Sequence, residues 1–241
     1  MRFSILLFLL FVTTCVQADI YVQQESHTDS YYYGGIPYPE VDEMEEVWIG
    51  DNVYAYITER RNVVVDLNRN MLLFINHRDS TYVNSPLPFD WSNLVSDELA
   101  ARLQMFQTTG TLEESEEVKK IGEWECQRYD ITSWIPYEGN TYDEKETVIW
   151  VTRDVPFDLN MYGEIIIILR QLMNYTIEFV NELATVKGFL IAAETVTYVK
   201  GFGYQSTDRV IDISEKMPPA EVYAVPKGYT EKEELTLEDL R

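Results

Sequence analysis

The sequence predicts a mostly β fold of the α+β class, built on one antiparallel sheet with two helical segments. Three observations predict it: short apolar runs separated by polar turns, a segment of helical spacing after residue 95, and a very apolar helix near residue 170. The chain has 241 residues, 46% hydrophobic and 25% charged, so it is long enough to bury a core of its own.

The strong acidity of the chain limits its partners. Lys and Arg number 19 against 41 Asp and Glu, which gives a formal net charge of −22. A protein that binds nucleic acid or an anionic membrane surface needs a basic stripe to meet the phosphates. We therefore expect no nucleic-acid partner.

Residues 1–18 have the pattern of a secretory signal peptide. Arg2 precedes an apolar run from Phe3 to Val12, and small residues lead to Ala18. The run is about half of the ~20 residues that span a bilayer, so no transmembrane segment is expected in the mature chain. We expect export to the periplasm or the extracellular space, with cleavage before Asp19. Lipid anchoring through Cys15 is the alternative.

Cysteines and histidines are too few to predict a metal or a cofactor. Removal of residues 1–18 would leave Cys126 as the only thiol, and a lone thiol in an oxidising compartment is expected to be buried. His27 and His77 have no cysteine at metal-ligand spacing. The acidic stretch at 40–46 lacks the spacing of a calcium loop, so solvated surface is the prediction there.

An antiparallel meander is predicted from about residue 47. Apolar runs alternate with polar turns roughly every nine residues, which is typical of consecutive hairpins. The predicted strands are Val47–Ile49, Val53–Ile57, Val63–Leu67, Met71–Ile75 and Thr81–Val83.

The first helix is predicted after Ser96, a plausible N-cap. Leu99, Leu103 and Phe106 recur at helical spacing, and Gly110 is predicted to end the helix.

A second strand region follows. Within it, Trp124 and Cys126 share one parity while Tyr129 and Ile131 share the other, which predicts an irregularity between them.

The strongest helix prediction covers residues 163–184, with Ile168, Leu172 and Phe179 in its apolar stripe. Two long strands are predicted over 188–199 and 204–214, and a short one over 222–225. Residues 230–241 form an acidic C-terminal tail, in which Thr230 and Glu233 fit a capping box and disorder is the alternative.

Tyr31, Tyr32 and Tyr33 are three successive aromatic residues beside a Gly-Gly pair. Strand propensity does not explain such a cluster in a turn-rich segment, so these tyrosines are candidates for contact with a partner.

Three motifs resemble a known family. They are Ile-Gly-Glu-Trp-Glu-Cys-Gln-Arg-Tyr at 121–129, Trp-Val-Thr at 150–152 and Val-Pro-Lys-Gly-Tyr at 225–229. In this order they resemble exported bacterial proteins with a domain of unknown function, related to the LolA/LppX-type lipoprotein carriers. The resemblance covers roughly residues 45–229.

The resemblance implies a single LolA-like domain over 19–229. Its expected architecture is a strongly curved antiparallel half-barrel sheet with helices plugging the concave face, and a hydrophobic groove between them. No catalytic or ligand residue is carried over from the family. The expected groove residues are those of the two helical stripes: Leu99, Leu103, Phe106, Ile168, Leu172 and Phe179.

Three functions are compatible with the sequence. The first is a non-enzymatic exported carrier that binds a hydrophobic ligand, either a lipid or a lipidated protein, in the groove. The second is a structural or envelope-interaction module whose own helices fill the groove. The third is a hydrolase that uses two of the many carboxylates, which requires them to converge in a cleft.

Overall fold

A computed structural model describes residues 18–33, 35–199 and 202–240. The predicted signal peptide therefore lies outside the described residues, except for Ala18. The described chain folds around one twelve-stranded sheet, with three α-helices and a 3₁₀ turn at Trp91–Asn93. The mostly β prediction is confirmed.

The strands and helices are numbered along the chain. The strands are β1 (Asp19–Thr28), β2 (Tyr31–Tyr33), β3 (Ile36–Tyr38), β4 (Val41–Gly50), β5 (Val53–Ile57), β6 (Arg61–Asp66), β7 (Met71–Asn76), β8 (Thr81–Pro86), β9 (Thr109–Ile121), β10 (Trp124–Tyr137), β11 (Asn140–Thr152), β12 (Phe189–Val199), β13 (Phe202–Lys216) and β14 (Thr230–Glu231). The helices are α1 (Asp97–Met105), α2 (Leu159–Leu172) and α3 (Ile177–Leu183).

The sheet consists of two antiparallel meanders joined by the first strand. Its order is β14-β8-β7-β6-β5-β4-β1-β13-β12-β11-β10-β9. Strand β1 pairs with β4 on one side and with β13 on the other. Strands β2 and β3 form a separate hairpin between β1 and β4.

The predicted meander is observed as β4–β8, and its turns explain the strand order. Asn52, Asn70 and Ser80 lie in the turns with φ of 59°, 51° and 55°, the left-handed region that tight hairpins use. Asparagine adopts this conformation at lower cost than most residues. The turn residues therefore keep the strands short and antiparallel.

Both faces of this meander are buried. On β6, Val63 and Val65 belong to the main core cluster, whereas Val64 belongs to a second cluster, as alternation along a strand requires. Helices α1 and α2 contribute to the main cluster. The chain around Val222 contributes to the second one.

The irregularity predicted in β10 is confirmed. The pairing of β10 with β9 shifts register between Gln127 and Tyr129. The extra residues lie in β9, because Gln127 pairs with Val118 and Tyr129 with Glu114. Ordinary alternation along β10 places Cys126 in the main cluster and Tyr129 in a third, smaller one. Cys126 is also fully buried, as predicted.

The helix predicted over 163–184 is wrong as a single element. It is two helices, α2 and α3, interrupted at Asn174, whose φ of 61° ends the first one. The side chain of Thr176 then caps the second helix by accepting a hydrogen bond from the Phe179 N–H. Apolar periodicity continued across the break, so periodicity alone could not locate it.

Two further elements differ from prediction. Helix α1 ends at Met105, and Gly110 lies in β9 instead of ending the helix. Residues 222–225 form turns, not a strand. The side chain of Ser96 does cap α1 as predicted, accepting from the Leu99 N–H at 3.3 Å.

The C-terminal segment packs on the domain. Thr230–Glu231 form β14, parallel to β8, in place of the predicted capping box. Leu235 is buried in the main cluster, and its N–H donates to the carbonyl of Leu94. Lys232 lies between Asp79 and Asp239, at 2.8 and 3.1 Å. The acidic tail is thus bonded to β8 at the edge of the sheet.

Candidate functional site

Four of the six predicted groove residues pack against the same core cluster. Leu99 and Leu103 of α1, with Ile168 and Leu172 of α2, are partly buried against the main core cluster. That cluster includes Val63 of β6 and other strand residues. The two helices therefore lie on one face of the sheet, with these side chains between them and the strands.

The other two predicted groove residues lie elsewhere. Phe106 is 36% exposed, and its ring centroid lies 5.0 Å from that of Tyr137. Phe179 is buried, but its ring packs against Gly110 of β9 and against Tyr175. The prediction that these two residues share the site of the other four is not met. Phe106 lies beyond the last helical residue of α1, and the break at Asn174 separates Phe179 from α2.

Exposed apolar side chains cluster where the helices end. We define the helix-end patch by its six members, which are between 36% and 59% exposed: Met105, Phe106, Tyr137, Tyr142, Met173 and Ile177. Five of these six were missed by the sequence analysis. They lie at element ends, where apolar periodicity carries little signal.

Hydrogen bonds hold the two helix ends of this patch together. The side-chain Nδ2 of Asn174 donates to the carbonyls of Leu103 and Phe106, at 2.9 and 3.2 Å. The Thr108 N–H donates to the Asn174 carbonyl, and the Thr176 N–H donates to the Thr108 carbonyl. Met105, Met173 and Ile177 are therefore carried on backbone segments that are directly bonded to one another.

The β10–β11 hairpin supplies the aromatic side of the patch. Glu138 and Gly139 form its tight turn, both with positive φ, and Tyr137 and Tyr142 flank it. The two tyrosine rings are 6.2 Å apart at the centroids. Because Phe106 contacts Tyr137, the hairpin tip and the end of α1 form one surface.

Carboxylates surround this patch. Glu138, Asp143, Glu144 and Glu178 are exposed on the segments that carry it. The bases on those segments are Arg102 and Lys145, so the local balance is negative, as it is for the whole chain. An apolar centre with an acidic rim complements a partner with apolar and basic residues.

The predicted partner-contact tyrosines were expected in a loop, but they form strand β2 of the β2–β3 hairpin. The ring of Tyr31 lies between those of Tyr38 and Tyr204, with centroid distances of 4.8 and 4.1 Å and nearly parallel planes. Tyr32 is 74% exposed. The side chain of Tyr33 lies outside the described part of the structure. Tyr31 therefore stabilises the hairpin, and Tyr32 is free to contact a partner.

Two open depressions of the described chain have linings that mix polar and apolar residues. One, of about 300 Å³, is lined by Val118, Lys119, Lys120, Glu123 and Glu125. The other, of about 390 Å³, lies over β10–β13. Neither is lined by a predicted groove residue.

Three carboxylates line the larger depression, those of Asp130, Glu146 and Glu194. Asp130 of β10 and Glu194 of β12 are both in register with Val148 of β11, the strand between them. Asp130 accepts hydrogen bonds from Arg128, which also contacts Glu117 at 2.8 Å. These hydrogen bonds raise the pKa of the Arg128 guanidinium, so Arg128 stays charged. The Asp130 carboxylate is therefore paired with a cation of this chain.

Within the described residues, no group of three or more His, Cys, Asp or Glu side chains is placed to hold a metal ion. In the same part of the chain, no helix combines the length and apolarity needed to span a membrane. No known protein-family model matches the chain, and no curated protein sequence matches it.

Proposed function

We propose that the protein is an exported, non-enzymatic interaction module that binds a cationic amphipathic segment of a partner protein at the helix-end patch. In this proposal its own helices fill the groove of a curved, half-barrel sheet. The observation that carries the proposal is the patch itself, six exposed apolar side chains on segments that are joined by hydrogen bonds around Asn174 and by the contact of Phe106 with Tyr137.

The composition of the patch suits protein recognition. Aromatic residues and methionine are enriched where proteins bind one another, and methionine adapts to partners of different shape. The patch contains two methionines, two tyrosines and a phenylalanine. Exposed clusters of this kind are typical of interaction sites, whereas apolar residues scattered singly are not.

The acidic rim defines the partner. Glu138, Asp143 and Glu178 lie next to patch residues in sequence and are exposed. A basic segment would be steered toward them and an acidic one repelled. An amphipathic helix with one apolar and one basic face offers both properties.

The half-barrel part of the proposal is supported by the open sheet and by the position of α1 and α2. The strand order runs from β14 at one edge to β9 at the other, and the two helices lie on one face. Leu99 and Leu172 pack there against buried strand residues. Export is supported by the composition of residues 1–18.

A peptide titration tests the proposal. The probe is a fluorescein-labelled Lys/Leu helix of about 18 residues, long enough to present one continuous apolar face. Phe106→Ser with Ile177→Ser removes the centre of the patch and should raise Kd by about tenfold or more, because buried aromatic anchors dominate such interfaces. A peptide of the same composition in scrambled order controls for charge alone.

The matched control is Tyr32→Ser with Ile36→Ser. It removes an exposed aromatic residue and an exposed isoleucine from the β2–β3 hairpin and should leave Kd unchanged. Equal binding by wild type and the patch variant would contradict the proposal. Loss of binding only in the hairpin variant would transfer the function to the predicted tyrosine site.

The carrier is the second candidate, and one observation favours it. Leu99, Leu103, Ile168 and Leu172 are only partly buried, so the layer between helices and sheet keeps some access. If the groove is self-filled, Leu172→Ala should cost about 2–5 kcal/mol of unfolding free energy. If it holds acyl chains, the same change should cost less and should mainly weaken the binding of a fluorescent acyl probe.

A further inference from the structure

Strand β9 forms one edge of the twelve-stranded sheet. It pairs with β10 on its inner side, and in the part of the chain that the structure describes no strand pairs with its outer side. In an edge strand, alternate residues point their backbone N–H and C=O groups outward, where a strand of another molecule can bond to them. The outer side of β9 is therefore a surface on which a further strand could be added.

Residues around α3 cover only the first part of this edge. The Thr108 N–H, just before β9, donates to the Asn174 carbonyl at 3.0 Å, away from β10. The Leu112 N–H donates to the Glu182 side chain at 2.8 Å. Over 114–121, the hydrogen bonds of the β9 backbone to other described residues go to β10 or stay within β9. The second half of the edge is thus uncovered.

Glu116, Val118 and Lys120 point their backbone groups outward. The outward bond of the Leu112 N–H fixes which residues of β9 face away from β10, since the direction alternates along the strand. The bulge between Glu114 and Val118 adds two residues to β9 relative to β10, an even number that leaves the alternation unchanged. The outward positions therefore continue as residues 116, 118 and 120.

The charges of residues 116–120 reverse sign about Val118. The segment reads Glu-Glu-Val-Lys-Lys, and all five residues are exposed, Val118 by 52%. In an antiparallel pair with a second copy, the two Val118 residues can lie opposite each other. Glu116 then lies opposite Lys120, and the neighbouring glutamate lies opposite Lys119. Opposite charges at directly facing positions stabilise a strand pair.

Contacts within one copy hold Glu117 and Lys119 on the same face of the sheet. The Arg128 guanidinium lies 2.8 Å from the Glu117 carboxylate. The Lys119 ammonium lies 3.7 Å from the centroid of the Trp150 ring. Arg128 and Trp150 are in register on adjacent strands, so they occupy one face. Both charged side chains are therefore positioned on that face before a second copy binds.

Glu116 and Lys120 lie on the opposite face, because side chains alternate along a strand. Among the described residues, neither has an oppositely charged partner within 4.0 Å. Both are exposed. Their charges are therefore available to a second copy, and exchanging them breaks no ion pair within the chain.

We propose that β9 is a homodimer interface, in which residues 116–120 of two copies pair antiparallel about a twofold axis at Val118. The interface is isologous, so the contact between Glu116 and Lys120 occurs twice. A shift of the axis by one residue would place Glu117 or Lys119 opposite its own copy, and like charges would face each other. The charge pattern thus selects one register.

The competing explanation is protection of the edge. Charged residues and bulges on edge strands prevent unwanted pairing, and β9 has both. Protection is strongest when an edge carries charges of one sign, because every register then opposes like charges. Residues 116–120 carry both signs, in the order that self-pairing needs, and this order favours the dimer.

Sedimentation equilibrium of the whole chain, at about 1 μM to 1 mM protein, tests the interface. About 0.15 M salt screens the repulsion between the two acidic copies beyond about 8 Å. Wild type should shift reversibly from monomer to dimer mass as its concentration rises. Glu116→Lys places like charges opposite each other and should raise the dissociation constant about tenfold or more. The same substitution makes the chain less acidic, so a general relief of repulsion would lower that constant instead.

Charge reversal supplies the matched controls. Lys120→Glu alone should also weaken dimer formation. An equimolar mixture of the Glu116→Lys and Lys120→Glu chains should restore it, because each copy then presents opposite charges to the other, and so should the double variant. Glu164→Lys makes the same change of charge at an exposed position of α2 and should not weaken dimer formation.

A cysteine on the axis tests the register. Facing residues of an antiparallel pair have Cα atoms about 5.5 Å apart, within the range of a disulfide. Val118→Cys should therefore form an intermolecular disulfide with oxidised glutathione. Glu114→Cys should not, because in this register its own copy lies roughly 26 Å away along the strands. The buried Cys126 is common to both variants.

A monomer at every concentration would overturn the proposal. An unchanged dissociation constant in Glu116→Lys, or equal disulfide formation by the two cysteine variants, would also overturn it. The interface is separate from the helix-end patch, whose nearest member in the chain, Phe106, precedes β9. The peptide titration and the sedimentation experiment can therefore fail independently.

Discussion

The two meanders of the sheet differ in what covers them. Strands β5–β8 of the first meander have five or six residues each, and Val64 and Val65 are buried on opposite faces of the same strand. Strands β9–β13 are 11 to 15 residues long, and β9 has no fully buried position. The difference follows from coverage of the other face, since the chain around Val222 packs on the first meander, whereas the helices contact both meanders.

The two meanders therefore differ in how much they contribute to the core and how much surface they expose. Among the described residues, the first meander supplies eight buried strand residues to the main core cluster and the second supplies six. The second supplies exposed strand ends, among them the β10–β11 hairpin of the helix-end patch. We infer from it that core substitutions will act mainly through the first meander, whereas binding substitutions will act through the second.

The largest expected effect is in the core of the first meander. Phe74 of β7 is 2% exposed, and Phe74→Ala should cost about 3–5 kcal/mol because it opens a cavity. Val118 of β9 is 52% exposed, and Val118→Ala should change stability by no more than about 0.5 kcal/mol. Urea unfolding of both variants measures the difference, and comparable losses would refute the distinction.

A pair of glycines tests the packing of the helices. A Cβ at Gly110 would meet the Thr132 carbonyl and lie 2.7 Å from the Phe179 ring, so Gly110→Ala should cost about 1–3 kcal/mol. At Gly163, inside α2, a Cβ would meet nothing within 4 Å. Gly163→Ala should therefore stabilise the protein by up to about 1 kcal/mol. Thermal unfolding that moves in the same direction for both would show that α3 does not pack on β9 as described.

The two histidines should change the unfolding free energy with pH in opposite directions, and by less than the core and glycine substitutions. Burial lowers the pKa of His77 below its ordinary 6.5, while its ring bonds Tyr229 and Asn62. The contribution of neutral His77 to the unfolding free energy is complete above pH 6.5 and is lost as the pH falls through the lowered pKa. Hydrogen bonds to Asp42 and Asp29 raise the pKa of His27, so its contribution is present below pH 6.5 and is lost as the pH rises through the raised value.

Single substitutions separate these contributions. His77→Gln should flatten the loss of unfolding free energy toward acid, and His27→Gln should flatten the loss above neutrality. Urea unfolding from roughly pH 5 to 8 measures both, the range in which histidine titrates. Identical pH profiles for wild type and His77→Gln would contradict the buried contact with Tyr229.

Local patterns predicted the first meander well, because alternation and turn residues such as Asn52 and Asn70 determine hairpins between neighbours in sequence. They could not predict β1, whose polar residues Gln23 and Gln24 carry no strand pattern. Its pairing with β13 joins Asp19 to Lys216, a contact that no local window contains. The patch was missed for a related reason, since Met105 and Met173 meet only through tertiary contacts around Asn174.

Hydrogen exchange on the protein with and without the Lys/Leu peptide tests the proposed partner site most directly. The account predicts slower exchange at the backbone amides of residues 102–108, 135–144 and 173–178, the segments that carry the helix-end patch. The same amides should show no change with the scrambled peptide. Protection confined to residues 31–38, or no protection at all, would contradict the account.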